Sequence, residues 1–291
     1  MQIDNETLHE LHNLIFGMDS DKIFQINIRE ILRSKAPATY KKIPGFVITW
    51  LSKLVCQDQL NELLRANASF TGVPFMENLL RMFDIDLQLH GVENLPSGDQ
   101  RCIFASNHPL AGLDGVCLSA IVGKRYDERI RYLTNDILYY LEPLQNIFVP
   151  INKHGAQAKS AVSLLHEAFA SDNHILTFPA GLCSRKNKGI IRDPQWKKMF
   201  ISKAIEYQRD VVPVYVDAKN SNFFYNLAKI RAALKIKFNI EMLFLPREML
   251  KKRQAVIHVY FGEPILWQTF DASKTPQQWA AEVENKVYGM L

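Results

Sequence analysis

Residues 101–115 read RCIFASNHPLAGLDG. The first six form a short apolar run, suited to a buried strand. A loop carrying Asn107, His108 and Pro109 follows, and a helical pattern opens around Gly112, Asp114 and Gly115. An apolar run ended by turn residues and followed by a helix is the start of a β–loop–α unit. The pattern recurs in IRYLT (130–134), NIFVPI (146–151), HILTF (174–178), VVPVYV (211–216) and AVIHVYF (255–261). Amphipathic stretches lie between these runs. Val162, Leu165 and Phe169 share a helical spacing, as do Trp196, Phe200 and Ile205 approximately. Such alternation predicts an α/β domain with a mostly parallel central sheet flanked by helices. The first hundred residues read mainly as helix. Two regions are expected: a helical N-terminal extension over 1–84, as a membrane-docking or lid element, and the α/β domain over 85–291. In parallel sheets ligands gather beyond the carboxyl ends of the strands, so the residues just after each run carry the functional reading.

The 291 residues are 47% hydrophobic and 22% charged, which is ordinary globular composition and excludes a disordered, collagen-like or coiled-coil chain. A membrane-spanning helix needs about 18 nearly uninterrupted apolar residues. The best stretches, 43–51 and 175–183, are shorter and broken by Pro or Gly. The start, MQIDNETLHE, has no basic and apolar leader pattern, so no secretory signal is expected. Four scattered cysteines without a CxxC pair fit free thiols in a reducing compartment. The net charge of +5 is polarised: residues 1–30 carry −4, 31–60 carry +4 and 181–253 carry +11. Such a basic stretch is either a solvated face or a surface for anionic lipid, an acidic carrier protein or nucleic acid. The nucleic-acid reading lacks a recognition motif with interleaved stacking aromatics. Residues 43–55, IPGFVITWLSKLV, suit either a membrane interface or a core-packed helix.

His108 and Asp114 follow the first run at H-x5-D spacing, with Pro109 and Gly112 shaping the loop between them. A His with a carboxylate partner is a general base, because the carboxylate fixes the tautomer and stabilises the imidazolium. Read alone, Asp114 is equally a helix cap and His108 a loop residue. The fourth run ends in Phe178, Pro179, Ala180 and Gly181, followed by Ser184, Arg185 and Lys186. Gly181 permits a positive φ or close approach of a ligand, and Arg185 suits an anionic headgroup. Pro213 within VVPVYV marks a special strand position. Other chemistries lack their signatures. The sequence contains no G-x-S-x-G elbow, phosphate loop or G-x-G-x-x-G. His166-Glu167 begins H-E-x-x-H, but position 170 is Ala. No metal ligand set is expected, and Cys183 reads as a bystander.

Taken in order, these blocks resemble the glycerolipid (lysophospholipid) acyltransferase superfamily over about residues 85–265. Asn107-His108-Pro109 through Asp114-Gly115 matches its His–Asp block. Residues 147–152 match the second block, Phe178-Pro179-Ala180-Gly181 the third and Val212-Pro213-Val214 the fourth. Three departures stand out. The dyad spacing is one residue longer than the usual H-x4-D, Ala180 replaces the usual Glu, and Asn152, with Lys153 beside it, stands where an Arg is usual. These resemble the branch often labelled hemolysin-like, which includes acyltransferases for ornithine and glycine lipids. Its patterns are matched by Asn107, His108, Pro109, Gly112, Asp114, Gly115, Phe178 to Gly181, Ser184 and Arg185.

The resemblance implies transfer of a fatty acyl group from an acyl thioester, on acyl carrier protein or CoA, to a hydroxyl of a lipid acceptor. His108 would be the base and Asp114 its orienting partner, with no bound cofactor. Asn107, Gly112, Phe178, Pro179, Gly181, Ser184, Arg185 and Lys186 would line the substrate site, the last two meeting an anionic headgroup. The acceptor is an N-acyl amino acid or a lysophospholipid. An anionic membrane surface is the expected partner, nucleic acid is not, and the expected location is cytoplasmic, peripheral on the inner membrane face. The other reading is a non-catalytic lipid-binding or transfer protein of the same fold.

Overall fold

The computed structural model describes residues 25–35, 37–134, 141–151, 157–236 and 238–291. Asn152 and Lys153 of the second block lie outside these residues, as does most of the acidic start of the chain.

Each of the six apolar runs forms a strand of one sheet: β2 (Cys102–Ser106), β3 (Ile130–Thr134), β4 (Phe148–Pro150), β5 (His174–Thr177), β8 (Asp210–Asp217) and β9 (Val256–Phe261). A seventh strand, β1 (Asp86–His90), pairs with β9 at the edge. Its mixed sequence, DLQLH, is largely exposed and carries no apolar run. The order is β1-β9-β8-β2-β5-β3-β4. Neighbours are parallel except β8 and β9, which are antiparallel. The sheet is therefore mostly parallel, as expected, with β2 near its centre.

Helices cover both faces, which is why the central strands are apolar throughout. Consecutive residues show it: Phe104 joins one core and Ile103 the other. On the Phe104 side lie α5 (Gly72–Phe83) and α6 (Gly112–Arg125), which supply Met76, Phe83, Leu113 and Cys117. On the Ile103 side lie α8 (Met199–Tyr207) and α11 (Pro276–Tyr288), which supply Phe200, Ala204, Val283 and Val287. A smaller cluster, Ile26 to Val55, unites α1 (Ile28–Lys35) with α3 (Gly45–Leu54). Thus α5 belongs to the main core, as does Leu63 before it, while α1 and α3 form a cluster of their own.

Two periodicity readings are corrected. Val162 lies on α7 (Gln157–Ala170) but is 64% exposed, whereas Phe169 is buried. Trp196 is buried but precedes α8 instead of sharing its face. Pro213 occupies a special position after all. β8 pairs with β9 from Val214↔Phe261 onward, then meets Ile265 at Val211. Between these points the register slips by one residue while the Pro213 carbonyl accepts from Gly262 N–H (2.9 Å), so Pro213 lies at a bulge, where a missing N–H is tolerated.

His174 opens β5 with its ring against Tyr126 and Phe104, centroids 3.9 and 5.7 Å away. Burial, with the charges of Arg129 and Arg209, lowers its pKa to about 4. The folded-state value lies below the unfolded value, so the associated stability is present above pH ~6.5 and lost as pH falls towards 4. Thermal melts across this window are expected to show falling Tm, and His174→Phe should flatten that slope.

Candidate active site

The loop leaving β2 is fixed by side chains that stand in for backbone. Asn107 accepts from the Val216 N–H (2.7 Å) and donates to the Val216 carbonyl (3.0 Å), extending the β2–β8 pairing by one side chain. Its amide is thereby engaged in the fold. His108 follows at the carboxyl end of the central strand. Its Nδ1 lies 3.0 Å from Oδ1 of Asp114, a fully buried residue.

Asp114 sits in the first turn of α6, where helix N–H groups favour a carboxylate. Its Oδ2 accepts from Leu110 N–H and its Oδ1 from Gly115 N–H, both at 2.8 Å. The five residues between His108 and Asp114 fold into a tight turn whose positive φ falls on Ala111 (φ 57°, ψ −106°) and not on Gly112. A non-glycine residue held there stores about 1–3 kcal/mol of strain. Gly112 opens α6, and an added Cβ would meet nothing within 4 Å.

The other face of the His108 ring stacks on Phe178, centroids 4.3 Å apart. Tyr132 stands edge-on to Phe178 at 5.6 Å, and a Cβ at Gly115 would collide with the Tyr132 ring. Nδ1 faces Asp114 and the ring lies on Phe178, which leaves Nε2 as the nitrogen able to meet a substrate. Burial lowers the imidazole pKa. Asp114, by charge and hydrogen bond, and Asp193, by charge, raise it more than burial and Arg185 together lower it, so the net value lies above the ordinary 6.5. The group is a stronger base than free imidazole, and its proton acceptor points away from its orienting carboxylate.

Block three runs from β5 into a turn, where Gly181 takes φ +67° and donates its N–H to the Phe178 carbonyl (3.0 Å). The Pro179 carbonyl accepts from Lys197 N–H at 3.0 Å. Ala180 is buried among Ile103, Ile175 and Trp196, an apolar setting in which a small residue packs. The chain then enters a hairpin, β6 (Arg185–Asn187) and β7 (Ile190–Arg192). Its basic sequence carries no strand signal.

This hairpin holds two of the residues expected to line the substrate site. Ser184 is buried, its Oγ donating to Asp193 (2.6 Å) and its N–H to the His108 carbonyl (2.9 Å). It braces the loop that carries His108, and with Asn107 and Tyr215 it lines a small cavity. Arg185 places Nη2 3.0 Å from Oε1 of fully buried Glu241, and its guanidinium lies over Phe224. Arg231 reaches the other Glu241 oxygen at 3.0 Å. Glu241 thus meets two guanidiniums with one carboxylate, so Arg185 is held in an ion pair within the protein while the cluster keeps a net positive charge. Lys186 is exposed, donating to Asn222 at 3.1 Å. Cys183 is fully buried with its thiol pushed up to about 11, chiefly by burial, consistent with an inert side chain. His166 is an exposed helix residue packed on Tyr207.

Three side chains of this region escaped the sequence reading: Asp193, Glu241 and Tyr132. Each is remote in sequence from the residue it serves, and a lone Asp or Glu in a basic stretch gives no signal of burial. The Asp193-Pro194-Gln195-Trp196 segment, with two residues buried inside a polar run, is the nearest to a readable clue. Among the described residues, no group of three or more His, Cys, Asp or Glu side chains is placed to hold a metal ion, and no helix is long and apolar enough to cross a membrane.

A family model described as acyltransferase matches residues 30–290. A lyso-glycine lipid O-acyltransferase of Phocaeicola vulgatus is 49% identical over 271 residues, 93% of this chain and 97% of that protein. One of Bacteroides thetaiotaomicron is also 49% identical, over 93% of this chain and 99% of its own length. Among solved structures, the 1-acyl-sn-glycerophosphate acyltransferase PlsC of Thermotoga maritima superposes with a TM-score of 0.44 at 15% identity, covering 74% of this chain and 75% of that one.

The His108 ring, followed by ¹³C NMR, should titrate above pH 6.5. In Asp114→Asn the titration should move to lower pH, because the nearest negative charge that favours the imidazolium is gone.

Proposed function

Because this chain belongs to the acyltransferase family, and so is an enzyme that transfers acyl groups, we propose that it O-acylates a lyso-glycine lipid or a closely related N-acyl amino acid. The donor is an acyl thioester on acyl carrier protein or CoA. His108 Nε2 takes the proton of the acceptor hydroxyl as that oxygen attacks the thioester carbonyl. The tetrahedral intermediate collapses, the C–S bond breaks and the ester forms. The leaving thiolate receives the proton from the imidazolium, so His108 ends neutral. Asp114 holds the tautomer and stabilises the transient cation. No covalent enzyme intermediate is required.

The acceptor assignment rests on the 49% identity to lyso-glycine lipid O-acyltransferases over 93% of the chain. Purified enzyme given an acyl thioester should acylate an N-(3-hydroxyacyl)glycine and leave lysophosphatidate nearly untouched. Ready acylation of lysophosphatidate with the glycine lipid ignored would overturn the assignment. His108→Ala should lose about 10²–10⁴-fold in kcat per folded molecule, and retained activity would remove His108 as the base.

The enzyme works at an anionic membrane surface, on the inner face. On α3, Phe46 (76% exposed), Trp50 (57% exposed) and Lys53 fall on one stripe. On α9 (Asn222–Ala233) and its C-cap, Phe223, Ile230 and Leu234 form a second exposed apolar stripe within the basic 181–253 region. Aromatic groups beside lysines suit a bilayer interface. Binding to vesicles containing anionic lipid should weaken with salt and in a Phe46→Ser/Trp50→Ser double variant. Equal binding to neutral and anionic vesicles at every salt concentration would count against this placement.

A further inference from the structure

We propose that Asp193 is a positioning residue for His108, clamping the backbone of the base and holding a second negative charge behind its ring. Asp193 follows β7 and is buried. Both of its oxygens lie close to His108 N–H, at 3.2 and 3.1 Å. Ser184 Oγ donates to Oδ1 at 2.6 Å and Trp196 Nε1 to Oδ2 at 3.0 Å. Its own N–H donates to the Tyr288 hydroxyl at 2.8 Å. One side chain thus joins the loop after β2, the entrance to the hairpin and the segment before α8, and its backbone reaches the end of α11.

The backbone of His108 is held on both sides. Its N–H is taken by Asp193, and its carbonyl accepts from the N–H of Ser184, which is itself bonded to Asp193. The backbone that carries the imidazole therefore cannot shift without breaking this knot. Every polar group that meets the Asp193 carboxyl is a donor, so an acceptor-only carboxylate matches the site. An Asn would turn an NH₂ onto N–H and O–H groups. No Lys or Arg pairs with Asp193 among the described residues, although a buried carboxylate is costly without a cation. The cation it is placed to serve is the imidazolium of His108. Burial raises the Asp193 pKa, and the bonds from Ser184, Trp196 and His108 N–H and the charge of His108 oppose that rise without cancelling it. The charged groups acting on the His108 ring are Asp114 from α6, Asp193 behind it and Arg185 from β6.

The inference rests on His108 being the base, and its test keeps the two apart. Full-length Asp193→Asn and Ser184→Ala are assayed for kcat and KM across pH with an acyl thioester and the glycine-lipid acceptor, and Tm is recorded. Asp193→Asn should lower kcat about 10- to 100-fold through misplacement of the base, with KM little changed. The acid limb of kcat/KM should move to lower pH, because removing a negative charge favours neutral imidazole. Ser184→Ala retains that charge, so its acid limb should stay in place while kcat falls by a smaller factor. An Asp193→Asn enzyme with wild-type kcat per folded molecule, or with an unmoved acid limb, overturns the proposal. If Asp193→Asn does not fold, Ser184→Ala decides: a lowered kcat at constant KM sustains the role, and a wild-type kcat overturns it. Full activity in His108→Ala would remove the base assignment itself. An inactive His108→Ala beside a wild-type-like Asp193→Asn removes only the role of Asp193.

Discussion

A carboxylate fully enclosed by protein is tolerated only where donors converge on it, and Asp114 imposes that condition on everything around it. Its oxygens meet the N–H groups of Leu110 and Gly115 and the Nδ1 of His108. To bring Leu110 back over the start of α6, the loop must turn sharply, and Ala111 takes a conformation that residues with a Cβ avoid. Helix α6 must also begin with its first turn facing the end of β2. The longer H-x5-D spacing is accommodated by this turn, and the His–Asp contact is kept at 3.0 Å.

The second condition concerns the strand that delivers His108. β2 lies between β8 and β5, near the middle of the sheet, and its residues are buried throughout. A central strand moves little, so the point at which the chain leaves it is well defined. Asn107 carries that definition one residue further by pairing its side chain with Val216, and Phe178, arriving from β5, closes over the imidazole. The site is assembled from the carboxyl ends of neighbouring parallel strands, where α/β sheets generally bind ligands.

Charge is handled differently in the interior and at the surface. Inside, Glu241 joins Arg185 to Arg231, linking the hairpin to α9. Such a bridge contributes geometry more than net stability, because desolvation offsets much of the attraction. Outside, the surplus cations of 181–253 lie in the same region as the exposed apolar residues of α9. The polarity seen in the linear charge thus divides into a part paired inside the protein and a part left at its surface.

The strand–helix alternation, the order of the blocks and the pairing of His108 with Asp114 could be read from the sequence by itself, because buried parallel strands are written as apolar runs and the dyad is local. β1 and the hairpin could not, since an exposed edge and a basic ribbon carry no such run. Nor could the fate of Arg185, which reads as a free cation until folding brings Glu241, 56 positions away, against it. The same holds for Asp193. Its identity is plain in the sequence, but its placement behind His108 depends on four segments meeting. Local spacing determines what a strand exit can offer. Only the tertiary structure decides which charges remain available and which are already paired, because burial and pairing depend on contacts between residues remote in the chain.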